Sequence, residues 1–287
     1  MSIKKWLKKN TASLEGKRVV ISGSTGGLGR ELCFCLASLG AELVLLDRNS
    51  EKSLKLADEL KEKHPSLRVS HLRADMSDFR SVKLAADSLS DMEIDHLILN
   101  AGAYSIPRCI TDIGYDNVYQ INFVSPYYLA RRLLPGIRAR GGRIVAVGSI
   151  AHNYSKIDEG DIDFRTGKQA SLVYGNAKRY LTYSLLSLSE GDIAVAHPGI
   201  TFTGITNHYP PLIFAIIKHP MKIIFMKPKK AALSILYGLF SEVKNDEWIG
   251  PCLFDVWGMP MVKKLRTASR QEQSRIVEIA EDIYKKL

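Results

Sequence analysis

From Lys17 to Ala196 the chain alternates short apolar runs with longer amphipathic ones, and few folds accept that pattern. Lys17–Ser22 (KRVVIS), Glu42–Asp47 (ELVLLD), Arg68–Leu72, Ile94–Leu99, Arg143–Val147 and Ile193–Ala196 are runs of four to six residues. Their length and near-continuous apolarity suit strands covered on both faces. Between them, Leu28–Leu39, Ser53–Lys63, Phe79–Leu89, the stretch Thr111–Leu134 and Leu172–Leu188 carry apolar residues at helical spacing. Gly40 ends the first of these helices and Pro65 the second. Strands alternating with helices predict an α/β fold, a doubly wound parallel sheet with helices on both faces.

No linker or internal repeat interrupts this order, so all 287 residues are expected to form one domain. Its core is expected over about residues 17–205, with a substrate lid and C-terminal helices over about 206–287. Phe202–Lys230 is apolar and holds Pro210, Pro211, Pro220 and Pro228, and it reads as an insertion over the sheet edge. Helices follow at Lys230–Phe240 and after Ser269, which with Glu272 makes a capping box.

The turn after the first strand reads Ser22-Gly23-Ser24-Thr25-Gly26-Gly27-Leu28-Gly29. Glycines allow a sharp turn and a close backbone approach to a pyrophosphate at the positive end of the following helix. Asp47, 18 residues after Gly29, closes the second strand, where an acid can bind both hydroxyls of a ribose. This is the context of a dinucleotide site in a Rossmann-like sheet. A carboxylate there disfavours the extra phosphate of NADP, whereas Arg48 beside it suits that phosphate. The acid at the strand end makes NAD the expected preference.

Tyr174 and Lys178 lie four apart, on one helix face. A phenol titrates near pH 10, and a nearby ammonium stabilises its phenolate and brings it toward neutral acid–base work. Ser149 follows a strand, and Asn122 sits inside a helical stretch where asparagine is not favoured intrinsically.

The spacing Gly23-x-x-x-Gly27-x-Gly29 resembles the glycine turn of the short-chain dehydrogenase/reductase family, with Ser22 for the usual threonine. Asp75-Met76, Asn100-Ala101-Gly102, Ser149, Tyr174-Gly175-Asn176-Ala177-Lys178 and Pro198-Gly199 with Thr203 downstream fall in the family's order. Thr111–Phe123 (TDIGYDNVYQINF) is similar to a stretch of its retinol-dehydrogenase-like branch. The resemblance covers about residues 17–205.

It implies an NAD(P)-dependent oxidoreductase moving a hydride between nicotinamide and an apolar carbonyl or alcohol. Tyr174 would be the acid/base, and Lys178 would lower its pKa and bind ribose. Ser149 would orient the oxygen, and Asn122 would complete a relay through water. The resemblance also assigns cofactor contacts to Gly23, Ser24, Thr25, Gly27, Leu28, Gly29, Asp47, Arg48, Asp75, Met76, Asn100, Ala101, Gly102, Tyr174, Lys178, Pro198, Gly199 and Thr203. The alternative is a non-catalytic, redox-responsive dinucleotide binder of the same fold, since fold alone does not settle function.

Composition bounds the rest. The formal charge of +10 concentrates toward the ends, as in Lys4, Lys5, Lys8 and Lys9, without the aromatic-interleaved basic run of a nucleic-acid binder. Cys33, Cys35, Cys109 and Cys252 have neither metal-ligand nor disulfide-framework spacing, and no metal is expected from Glu159, Asp161 and Asp163 either. No signal segment is evident, and the apolar stretch Pro210–Met226, broken by Lys218, His219 and Pro220, is short of a membrane span.

The expected location is therefore cytoplasmic. The Pro210–Met226 segment and Lys4–Lys9 around Trp6 and Leu7 are candidates for peripheral membrane contact. The link from Lys178 to Pro198 is short for the family, so the helix should stop near Glu190-Gly191 and any homo-oligomer should use an unusual interface.

Overall fold

The computed structural model describes residues 2–167, 169–200, 226–265 and 268–287. Its centre is an eight-stranded sheet in the order β3-β2-β1-β4-β5-β6-β7-β8. The strands are β1 (Arg18–Ser22), β2 (Glu42–Asp47), β3 (Val69–Arg73), β4 (His96–Leu99), β5 (Arg143–Val147), β6 (Ile193–Ala196), β7 (Glu247–Leu253) and β8 (Trp257–Lys264). Neighbours are parallel from β3 through to β7, and β8 returns antiparallel to β7 as a hairpin. Val19, Val20, Ile21, Leu43, Leu45, Leu97, Ile98, Ile144 and Val145 are fully buried, as expected of strands with helices on both faces.

One face is covered by α1 (Ile3–Asn10), α2 (Gly27–Ser38), α3 (Ser50–Lys63) and α7 (Pro228–Gly238). The other is covered by α4 (Phe79–Ser90), the long α5, α6 (Ala170–Leu188) and α8 (Arg270–Lys286). Helix α5 runs from Asn117–Tyr119 through a π-helical turn, Gln120–Val124, into Ser125–Ala139. It starts later than the apolar pattern suggests. Asp116 accepts from the amides of Val118 and Tyr119 to cap it, and Thr111 to Gly114 form a turn instead. Helix α6 ends at Leu188, and Gly191, at φ +94°, turns the chain into β6.

Two parts of the sequence reading are corrected. The region after residue 205 is not helical throughout, because β7 and β8 extend the sheet. Their mixed burial and internal Pro251 and Pro260 hide the strand pattern. The amino terminus also forms a helix, α1, whose Trp6 is buried edge-on against Tyr237 and so is not presented to a membrane. Thr203 and the stretch 210–225 lie outside the described residues.

Candidate active site

The sheet reverses its winding between β1 and β4, and the crevice beyond the carboxyl ends of such strands is where this class of sheet binds ligands. The glycine turn lies there. Gly23 takes φ +68°, and a Cβ on it would stand 2.8 Å from the Cα of Ala101. A Cβ on Gly29 would stand only 2.2 Å from the Gly23 carbonyl oxygen. Both positions therefore exclude any side chain.

Ser22 Oγ accepts from the amides of Asn100 and Ala101, each at 3.0 Å, so serine does the knitting that threonine would. Asn100 Nδ2 donates to the carbonyls of Gly23 at 2.8 Å and Ser22 at 3.1 Å. Asn100 thus shapes the turn. Gly26 begins α2 with no side-chain cap, which leaves the first amides of the helix for an anion. These residues fit the pyrophosphate of a dinucleotide.

Asp47 is buried at the end of β2. Its carboxylate accepts from Ser53 Oγ at 2.8 Å, from Ser24 Oγ, and from the Thr25 amide and hydroxyl at 3.3 Å each. Asp47, Ser24 and Thr25 therefore brace the turn from behind, whereas Arg48 is exposed. Asp75 accepts from the amide and hydroxyl of Ser77, and the Met76 carbonyl accepts from Gln120 and Ser125, which joins the end of β3 to α5. Leu28 is half-buried on the first turn of α2. Pro198 is buried and Gly199 takes φ +82° after β6.

The structure brings Ser149, Tyr174, Lys178 and Asn122 together at the ends of β4 and β5. Ser149 hydrogen-bonds the Tyr174 phenol, and Lys178 Nζ sits 5.6 Å from the centre of the Tyr174 ring. Lys178 is buried and donates to the Val147 carbonyl at 2.8 Å. Asn122, inside the π-helical turn, donates from Nδ2 to the Ala103 carbonyl at 2.7 Å and the Val118 carbonyl at 2.8 Å. A Cβ on Gly102 would meet Asn122 Oδ1 at 2.8 Å and Lys178 Nζ at 3.8 Å, so Gly102 is the floor between them. A π-turn inside an α-helix commonly marks a functional position, and here it explains the asparagine.

Burial governs the two titrating groups. It pushes the Tyr174 phenol up to about 12, with the Ser149 hydrogen bond opposing the shift. It pulls the Lys178 ammonium down to about 7. The sequence reading expected the nearby ammonium to bring the phenol down, whereas burial raises it. Both groups are desolvated, and that effect is larger.

Further residues support the site without any sequence motif. Tyr104 packs edge-on against Tyr174 at 5.3 Å. Arg179, buried next to Lys178, donates to both carboxylate oxygens of Glu272 at 2.7 Å and to the His152 carbonyl at 2.8 Å. It thereby ties α8 to the catalytic helix and to the turn that Ser149 starts. Glu272 lies 93 residues away in the chain, and only the fold could reveal that pair.

His152 and His197 pack around Trp248 behind Ser149, and burial holds each near 4. Asp163 is buried, where it accepts from the Asp116 amide and pairs with Arg165, so it anchors the chain to the start of α5 and is not part of a solvated loop.

The family profile described as short chain dehydrogenase matches residues 17–159. An uncharacterized oxidoreductase of Schizosaccharomyces pombe is 30% identical, over 87% of this chain and 80% of its own. The chain belongs to the short-chain dehydrogenase/reductase family. Members act as oxidoreductases on alcohol and carbonyl groups, and this chain is such an enzyme. A polyprenol dehydrogenase of Mus musculus is 26% identical, covering 77% of this chain and 71% of its own. Human retinol dehydrogenase 13 is likewise 26% identical, covering 69% and 62%.

Among solved structures, a protein of Mycobacterium paratuberculosis superposes with a TM-score of 0.74 at 23% identity, covering 96% of both chains. The Pseudomonas aeruginosa RhlG/NADP complex gives 0.60 at 23% identity, covering 79% of this chain and 91% of its own. These two show the shared fold.

Proposed function

We propose that this oxidoreductase reduces an apolar carbonyl compound, or oxidises the matching alcohol, with Tyr174 as the proton donor or acceptor. The observation that carries the reading is the meeting of Ser149, Tyr174, Lys178 and Asn122 in one crevice next to the glycine turn. When bound there, a nicotinamide dinucleotide supplies or takes the hydride.

The amides of Gly27, Leu28 and Gly29 at the start of α2 would hold its pyrophosphate, while the Gly23 amide is bonded to the Leu46 carbonyl, and Asp75 and Met76 would border its adenine. Asn100, Ala101 and Gly102 would line its middle, and Pro198 and Gly199 would flank the nicotinamide. Ser149 holds the substrate oxygen, and Tyr174, whose phenol keeps its proton at neutral pH, passes that proton to it. Lys178 binds ribose hydroxyls and, with Asn122 and a water, resupplies the proton. This protonation state favours carbonyl reduction at neutral pH.

NAD is the proposed preference. Asp47 is held at the strand end by four hydrogen bonds, so its negative charge would disfavour a 2′-phosphate brought near, while Arg48 lies exposed beside it. The apolar substrate class draws support from the polyprenol and retinol dehydrogenases among the relatives.

The test is a screen of hydrophobic aldehydes, ketones and alcohols that follows NADH and NADPH absorbance. Tyr174→Phe should keep cofactor binding and lose turnover by about a thousandfold or more, the scale of general acid catalysis with its orienting partners. Asp47→Ala should erode the preference for NAD. Turnover that survives Tyr174→Phe refutes the acid/base assignment, and an unchanged cofactor ratio refutes the role of Asp47.

A further inference from the structure

Strand β7 runs parallel to β6 with Ile249 beside Ala196, so the residues beyond Ile249 pass the carboxyl ends of the strands, the edge that holds the crevice. The tip of the β7–β8 hairpin stands next to Gly199, where an added Cβ would lie 2.7 Å from the Val256 carbonyl oxygen. Three apolar side chains crowd this tip in the open: Phe254 is 84% exposed, Leu253 54% and Trp257 39%. Single exposed apolar residues are ordinary, but a cluster on one protruding turn marks a contact surface.

The backbone strengthens that reading. Phe254 and Asp255 take φ +52° and +58°, a region that costs a bulky side chain about 1–2 kcal/mol per residue and that glycine enters readily. Asp255 is locked in place by Lys263 Nζ at 2.8 Å. The Val256 amide closes a two-residue turn on the Leu253 carbonyl, which requires positive φ at both central positions, and the turn carries an exposed phenylalanine where glycine or asparagine is the ordinary choice.

Cations stand at the same edge. The Met226 amide donates to the Ile200 carbonyl at 2.8 Å, which brings the start of α7 beside Gly199. Lys227, Lys229 and Lys230 occupy that start with no acid in the first turn. Lysines at the amino end of a helix oppose its dipole, so they fit an anion from outside the chain. No helix among the described residues is long and apolar enough to cross a membrane. An apolar tip at the same sheet edge as these lysines is the chemistry that recognises an anionic lipid surface from one side.

We infer that the crevice edge docks on an anionic bilayer, with Phe254, Leu253 and Trp257 entering the interface and Lys227, Lys229 and Lys230 meeting lipid phosphates. Docking rests on the proposed function only for its purpose, which is to bring the mouth of the site to apolar substrates dissolved in the bilayer.

The experiment is flotation of the full chain with vesicles of phosphatidylcholine, alone or with roughly one-third phosphatidylglycerol, at low and high salt. Of the three tryptophans, Trp6 and Trp248 are buried, so a blue shift of fluorescence on binding reports Trp257. The wild type should bind the anionic vesicles with that shift and release at high salt.

Phe254→Gly should bind about tenfold more weakly or worse, with an unchanged or raised unfolding temperature, since glycine relieves the turn. Lys227→Glu with Lys229→Glu should abolish the dependence on phosphatidylglycerol. Tyr174→Phe should bind vesicles as the wild type does, which separates docking from catalysis. Absence of wild-type binding, or a Phe254→Gly variant that binds normally, overturns the inference. So does a wild type that ignores vesicles but forms a dimer that Phe254→Gly dissociates, because the tip would then belong to a second copy of the chain.

Discussion

Gly29→Ala is the sharpest test of the phosphate end of the site. The added methyl would stand 2.2 Å from the Gly23 carbonyl oxygen and 2.9 Å from both the Ser24 Cα and the Asn100 Nδ2. Contacts under 3.0 Å are not sustained, so the turn must open by about 1 Å against hydrogen bonds that hold it from Asn100 and Asp47. Overpacking of this kind costs about 1–3 kcal/mol, and losing the bond from Asn100 to Gly23 adds about 1 kcal/mol. An opened turn no longer presents its amides to a pyrophosphate. If half of that cost falls on binding, the cofactor Kd rises about five- to thirtyfold, since 1.4 kcal/mol is a factor of ten.

The assay is NADH titration by fluorescence, together with thermal unfolding. Gly136→Ala is the control: it lies in α5 with nothing within 4 Å of the added methyl, and should gain about 0.5–1 kcal/mol with no change in Kd. A Gly29→Ala protein that binds NADH as tightly as the wild type would refute the placement of the pyrophosphate at this turn.

Two pH dependences follow from the buried titrating groups. For reduction, kcat/KM should be level below about pH 7 and fall above it, because the Tyr174 phenol stays protonated while Lys178, held near 7, loses its charge. Alcohol oxidation should rise over the same range, and a reduction rate that climbs from pH 7 to 9 would contradict this. Folding stability should fall on the acid side. His96, His152 and His197 are each held near 4 by burial, below the unfolded value of about 6.5, so the unfolded chain binds more protons between those values. Stability is thus complete above about pH 6.5 and is lost progressively toward pH 4, by roughly 2 kcal/mol per histidine at pH 5. Urea midpoints measured from pH 8 to 4.5 that stay flat would sink that account.

How much of this was legible beforehand depends on how local each feature is. The six strands from β1 to β6 and the glycine turn are set by runs of neighbouring residues, and the sequence displays them directly. The turn's function follows from having no side chains where carbonyls approach, a property of residue type alone. The spacing of Tyr174 and Lys178 likewise specifies one helix face.

Three features needed the folded chain. The π-helical turn that sets Asn122 beside Gly102, near Lys178, has no sequence pattern, because a helix widens in response to what packs on it. The downward shift of Lys178 and the upward shift of Tyr174 come from desolvation, which exists only once β5, α5 and α6 have closed around them. The β7–β8 hairpin escaped notice because prolines and half-exposed residues blur its alternation. It is nonetheless that hairpin, set beside Gly199 by pairing with β6, that brings Phe254 to the mouth of the site. Sequence determined which groups are present for hydride chemistry, since reactivity belongs to residue types. Tertiary structure decided their protonation and their surroundings, since both depend on solvent that only the packed chain excludes.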